Sequence, residues 1–173
     1  MENIKTEVTT QNRKTIYKNT FTSKGSIKIF VDYFLTHKVP EKSLKYGARC
    51  ISFTNFGNGE IQRVMTSPLP NSALASTFIG EEPVHIKYDG VYDDNILVLK
   101  AVNSERINNF FKFTEILTIV EENGILTFER EATIFNATKY GITSVFVNYQ
   151  EYEDFFNDCS LSVFYGISEE INK

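Results

Sequence analysis

Tryptophan is absent and cysteine occurs only twice, so two common sources of chemistry and rigidity are missing at once. Cys50 and Cys159 stand far apart, with no Cys-x-x-Cys pair and no histidine cluster beside them. That spacing excludes the usual zinc and dithiol motifs and any disulfide framework, and no cofactor or metal is predicted. A basic excess is lacking too: 18 Lys and Arg face 22 Asp and Glu, and the net charge of -4 offers nucleic acid no general attraction. No segment approaches the roughly 18 consecutive apolar residues of a membrane-spanning helix. The opening MENIKTEVTTQNRKTIYK has neither an apolar core nor an Arg-rich amphipathic face. No targeting peptide is predicted from it, and a cytosolic location is what the sequence alone implies.

What is present is a chain of 173 residues with 42% apolar content, enough for one domain with a sizeable core and too little for two. Residues 1–12 are polar and predicted to be a loose, flexible extension, which leaves 13–173 as the domain. A strand is expected at Lys14–Thr22. Ile27, Phe30, Val31, Phe34 and Leu35 then recur with helical spacing, and the helix must end before Pro40. Strands Arg49–Thr54 and Glu60–Thr66 flank the turn FGNG, and SPLPNSALASTFIG interrupts the pattern as a short helix or flap. Further strands are expected at Pro83–Tyr92, Ile96–Asn103, Phe111–Val120 and Ile125–Phe135. From Ile142 onward, apolar residues in steps of three and four predict one long amphipathic helix. Together these elements predict an α+β fold of the helix-grip kind: a curved antiparallel sheet of about seven strands packed on a long C-terminal helix. A closed lipocalin-type barrel accommodates such a helix poorly.

Side chains alternate across a strand, so parity assigns each residue to a face. With Asn123 and Gly124 as a two-residue turn, Glu122 pairs with Ile125, which sets Arg130 opposite Leu117 and Ala132 opposite Glu115. The rest of that face is apolar, so Glu115 and Arg130 are predicted to point inward and meet diagonally. In the earlier hairpin a loop centred on Gly57 puts Arg49, Ile51 and Phe53 on the same inner side as Ile61, Arg63 and Met65. Three inward arginines then face one glutamate. Burying an unpaired charge costs several kcal/mol, so the surplus predicts a wet or ligand-filled cavity suited to an anionic head group. A structural alternative stays open: a one-residue bulge would turn an arginine outward, and Glu115 with Arg130 can be an internal ion pair.

Catalytic candidates are few, and a non-enzymatic protein is predicted. His85 falls on the face opposite Val84, Ile86 and Tyr88; His37 closes a helix; Cys50 has no histidine near it in sequence and reads as a small buried or half-buried thiol. FGNG lacks the Lys-Ser/Thr and the helix of a phosphate loop.

Taken in order, THKVPEKSLKYG, GNGEIQRVM, SPLPNSALASTFIG, VYDDNILVLKAVN, FTEILTI, ILTFEREATI and NDCSLSVFYGISEEI resemble the collinear motifs of the PRELI-type lipid transfer proteins. This START-like family carries phospholipids between mitochondrial membranes. The resemblance implies a phospholipid held between sheet and helix, with Lys38, Lys45 and Arg63 near its phosphate, beside the inward Arg49, Glu115 and Arg130. It implies a lid over Ser67 to Gly80, including Pro68, Leu69, Pro70, Leu74 and Phe78, that opens at a membrane surface. It also implies the mitochondrial intermembrane space and a small helical, disulfide-bonded partner. The residues by themselves leave open a small-molecule-binding or cyclase-like domain of the same helix-grip fold, or a non-enzymatic interaction module. The chain departs from the family where its Trp after the Leu-Pro segment is missing, and where Glu151, Glu153, Asp154 and Asp158 stand in place of lysines.

Overall fold

The structure, a computed structural model, describes residues 3–67, 84–103, 111–136 and 149–173. Eight strands form one antiparallel sheet: β1 (Lys5–Gln11), β2 (Lys14–Lys24), β3 (Arg49–Gly57), β4 (Glu60–Ser67), β5 (Val84–Tyr92), β6 (Ile96–Asn103), β7 (Phe111–Glu122) and β8 (Ile125–Asn136). Their order across the sheet is β1-β2-β8-β7-β6-β5-β4-β3. The chain therefore crosses the whole width between β2 and β3, and it does so through helices α1 (Ile27–Phe34) and α2 (Glu41–Leu44). Helix α3 (Tyr149–Glu170) lies against the inner face, which makes the whole a helix-grip α+β fold. The stretch from Ile142 to Asn148, expected as the start of this helix, falls outside the described residues.

Two differences from expectation concern the edges. Residues 5–11, expected as a loose extension, pair with β2 and add an eighth strand through a tight turn at Asn12 and Arg13, both at positive φ. Every side chain of β1 is exposed, so its polar composition reflects an edge position rather than absence of structure. On the opposite edge, the β3–β4 register shifts between Cys50 and Ser52, where Ile51 is the extra residue of a bulge. Phe53 stays opposite Arg63 but Arg49 pairs with Thr66, so Arg49 leaves the inner face. It is exposed and donates to the carbonyl of neighbouring Ala48 at 2.8 Å. The inward orientation expected for Arg49 is thus corrected by one inserted residue.

Elsewhere parity holds. The Asn123-Gly124 turn has φ of 54° and 77°, the left-handed pair that a two-residue hairpin requires, and the β7–β8 register follows with Glu122 opposite Ile125 and Ala132 opposite Glu115. Gly59 is dictated by space as well as by its φ of 80°: a Cβ there would lie 2.5 Å from the Tyr92 carbonyl oxygen. Helix α1 begins where Ser26 accepts from the Ile29 N–H, while Glu121 of β7 accepts from that of Ile27. Its buried Ile27, Phe30, Val31 and Phe34 face the core.

Aromatic rings pair in the interface between sheet and helices. Phe21 stacks on Phe128 with centroids 4.4 Å apart, Tyr88 meets Phe164 edge-on at 5.5 Å, and Phe113 meets Phe156 at 4.8 Å. Helix α3 is more than a stripe on one face. All six residues from Cys159 to Phe164 are buried, because the α1–α2 segment covers the side turned away from the sheet. Ser162 donates to Ser43 at 3.1 Å, Tyr33 donates to Glu170 at 2.6 Å, and a Cβ on Gly166 would fall 2.4 Å from that of Pro40. The small residues of this helix are what allow α2 to approach so closely.

Candidate ligand-binding site

Asparagine, glutamate and arginine in the middle of an otherwise apolar sheet face must find partners inside the protein or in a ligand. On the inner face, Arg63, Tyr88, Ala101, Glu115, Ala132 and Tyr17 stand opposite one another across successive strands. Arg63 is therefore three strands from Glu115, roughly 14 Å at the usual strand spacing. The predicted charges form two separate centres instead of one.

The first centre is Arg63, fully buried on β4. Its Nη1 donates to the carbonyls of Phe34 and Thr36 at 2.9 Å each, its Nη2 to that of Lys38 at 2.6 Å, and its Nε to the Met65 sulfur at 3.1 Å. The guanidinium also lies over the Phe34 ring at 5.2 Å. All three nitrogens have acceptors, and the carbonyls they serve are those left open at and just beyond the end of α1. Burial lowers the pKa of Arg63. This arginine closes a helix end across the fold. Lys38 contributes its main chain to that arrangement while its side chain is exposed, and Lys45 is exposed with its ammonium 5.1 Å from the Tyr46 ring.

The second centre joins six elements through side chains. Arg130 donates through Nε to Glu115 Oε2, and through Nη1 to Asn19 Oδ1 at 2.7 Å and Asn157 Oδ1 at 2.8 Å. Both charged side chains are essentially inaccessible to solvent. Asn19 in turn donates to Thr6 of β1 at 3.0 Å. On the far side of the pair, Ser160 of α3 donates to Glu115 at 2.8–2.9 Å and lies 3.2 Å from the Tyr88 hydroxyl. Because a carboxylate only accepts, the Ser160 proton is committed to Glu115 and Tyr88 must be the donor to Ser160. Burial and the charge of Glu115 raise the pKa of Tyr88 well above the usual phenol range, so it stays a donor. One group is left over: among the described residues, Arg130 Nη2 has no acceptor.

Nearby, Thr15 donates to buried Glu153 at 3.2 Å and Tyr17 to Asp154 at 3.3 Å, tying the first turns of α3 to β2. Burial, followed by the charges of Glu153 and Asp154, pushes the Tyr17 phenol up. Burial, followed by the charge of Asp154, raises the Asp158 carboxyl from its ordinary value.

Parity found Glu115, Arg130 and Arg63. It missed Asn19, although a polar residue between Tyr17 and Phe21 on one strand face was the available signal, and it missed Asn157, Ser160 and Tyr88. Asn157 and Ser160 sit on the buried side of α3 among Phe156, Cys159 and Val163, where a short polar residue looks like a tolerated core position. Of the expected lid, Ser67 ends β4, and Pro68, Leu69, Pro70, Leu74, Phe78 and Gly80 lie outside the described residues. Among the described residues no three His, Cys, Asp or Glu are arranged to hold a metal. Burial pushes the Cys50 thiol up, away from the thiolate a nucleophile needs.

The sheet and terminal helix define the fold class, a helix-grip α+β protein, and in this chain a buried charged pair lies between them. The chain is similar in structure to a conserved protein from Geobacillus kaustophilus, over 91% of this chain and 95% of that one, with a TM-score of 0.52 at 9% identity. A Rhodobacter sphaeroides protein is more distant, with a TM-score of 0.43 at 7% identity over 97% and 98% of the two chains. At such identities the likeness concerns the fold alone. No family model and no curated protein sequence matches the chain.

Proposed function

We propose that the chain binds phospholipid and transfers it between membranes. Its acyl chains would lie between the sheet and α3, with a head-group or ester oxygen at Arg130. The observation that carries this reading is the buried Nη2 donor of Arg130, which has no acceptor among the described residues. An unsatisfied donor of this kind costs about 1–3 kcal/mol or more when charged, so an oxygen supplied by a ligand would be strongly favoured there. The charge of Arg130 is already met by Glu115, and Arg63 is saturated by main-chain carbonyls. An anionic phosphate is therefore assigned to the exposed Lys38 and Lys45, and the interior donor to an ester carbonyl. By the PRELI-like resemblance, residues 67–80 are the proposed lid and a membrane surface is the transient partner, and the same resemblance is the reason to look in the mitochondrial intermembrane space and for a small helical partner.

Mass spectrometry of a gentle organic extract of the purified protein is expected to recover phospholipid, and vesicles of phosphatidylcholine with phosphatidic acid or phosphatidylserine are expected to exchange lipid in its presence. An extract without lipid, together with no transfer, would remove the proposal. The same result would select a second reading, a non-enzymatic interaction module with a filled core, which the saturation of Arg63 favours.

A further inference from the structure

We infer that the outer face of the sheet carries a docking surface for a cationic amphipathic segment of another protein, independent of what the inner face holds. Val91 of β5 stands opposite Val98 of β6, and Ile96 opposite Val120 of β7, with Thr118 beside them. Phe56, at the end of β3, joins Val91 and Val98 in lining a groove of about 450 Å³. Val91 is 61% exposed and Phe56 57%. Single exposed apolar residues are ordinary, but these make one patch over β5, β6 and β7, and Phe56 of β3 borders the same groove from beyond Glu60 of β4. Elsewhere on the same face charged residues stand opposite one another across strands, as Lys18 and Glu131 do.

The border of the patch decides what could cover it. Glu60 is directly opposite Val91, Asp89 precedes it by two residues, Asp93 and Asp94 occupy the adjoining turn, and Glu129 stands opposite Thr118. Lys100 stands opposite Asp89 and Lys87 lies 3.9 Å from it, so Asp89 is already matched and the acidic character of the border rests on Glu60, Asp93, Asp94 and Glu129. An apolar centre inside an acidic ring is complementary to an apolar row flanked by Lys or Arg: the row fills the groove and the bases meet the ring. An anionic membrane would be repelled by the same carboxylates. A second copy of this face would bring acid against acid about a twofold axis.

The full chain can be titrated with two fluorescently labelled peptides, one with a Leu row flanked by Lys and the other identical but with Glu. Fluorescence anisotropy is expected to show binding of the Lys peptide, weakened by salt, and none of the Glu peptide. Val91→Lys should weaken it roughly tenfold or more, and so should the pair Glu60→Lys with Asp94→Lys; Asp93 is left unchanged because it accepts from the Asn95 and Ile96 N–H groups of the turn. The two variants alter exposed positions by different chemistry, and unchanged thermal unfolding confirms that each is folded. Equal binding of both peptides, or undiminished binding by the variants, would overturn the inference. So would adsorption to phosphatidylserine vesicles that Val91→Lys abolishes, or a dimer in sedimentation velocity that the same substitution dissolves.

Discussion

The two buried arginines are held in opposite ways. Arg63 is surrounded by fixed carbonyl dipoles from one connection, residues 34–38, whereas Arg130 is held by an ionised carboxylate and two amides from separate elements. A guanidinium whose three nitrogens already have acceptors in the protein has little left to offer and acts as a rivet between β4 and the end of α1. One held through side chains depends on every partner staying in place, and here it keeps a donor over. The contrast separates an architectural cation from a candidate for recognition, although both looked alike as inward arginines on alternating strands.

The largest effect expected from breaking this contrast comes at Arg130. Glu115→Ala would leave its charge buried without compensation and should cost about 3–5 kcal/mol in urea unfolding. The double change Glu115→Leu with Arg130→Met should recover most of that loss. If it is as unstable as the single variant, the two charges are not coupled. Arg63→Met comes next: it strands the carbonyls of Phe34, Thr36 and Lys38 and should cost about 2–3 kcal/mol. Arg63→Lys should restore little of this, because one ammonium cannot reproduce the planar fork. A loss below about 1 kcal/mol would mean that water takes over those carbonyls and the rivet is dispensable.

A smaller effect of opposite sign is expected at Asp158, on the α3 turn next to Asn157. Burial and the neighbouring Asp154 raise its pKa from the ordinary 3.8, so the folded protein prefers it protonated. The stability that goes with the protonated form is complete below 3.8 and is lost as pH rises through the folded value. Asp158→Asn should therefore stabilise the protein at pH 7, by less than about 1 kcal/mol because the side chain is only half buried and partly screened. The gain should vanish at pH 3. A constant gain across that range would rule out titration as the cause.

Much of the fold was legible because local signals agreed with one another. The Asn-Gly turn alone set the β7–β8 register, and with it the inward pair of Glu115 and Arg130. Strand β6 ran over the expected residues, and its neighbours differed at their ends by one to three positions. What stayed hidden depends on contacts distant in sequence. Nothing near Arg63 in the chain announces that its carbonyl acceptors lie 25–29 residues earlier. Nothing in α3 distinguishes a serine that fills a helix crossing, such as Ser162, from one that serves a buried carboxylate, such as Ser160. Strand β1 was missed because an edge strand exposed on both faces has no apolar alternation to detect.

The extra residue in β3 reaches beyond the direction of one side chain. Were Ile51 taken into the ladder instead, paired residue for residue with β4, it would stand opposite Met65 and carry Arg49 from water to the dry side, a third guanidinium in search of an oxygen. The kinked rim would also straighten into a regular template for strand-by-strand growth with neighbouring molecules, so the insertion that orients a charge also guards the chain against polymerising.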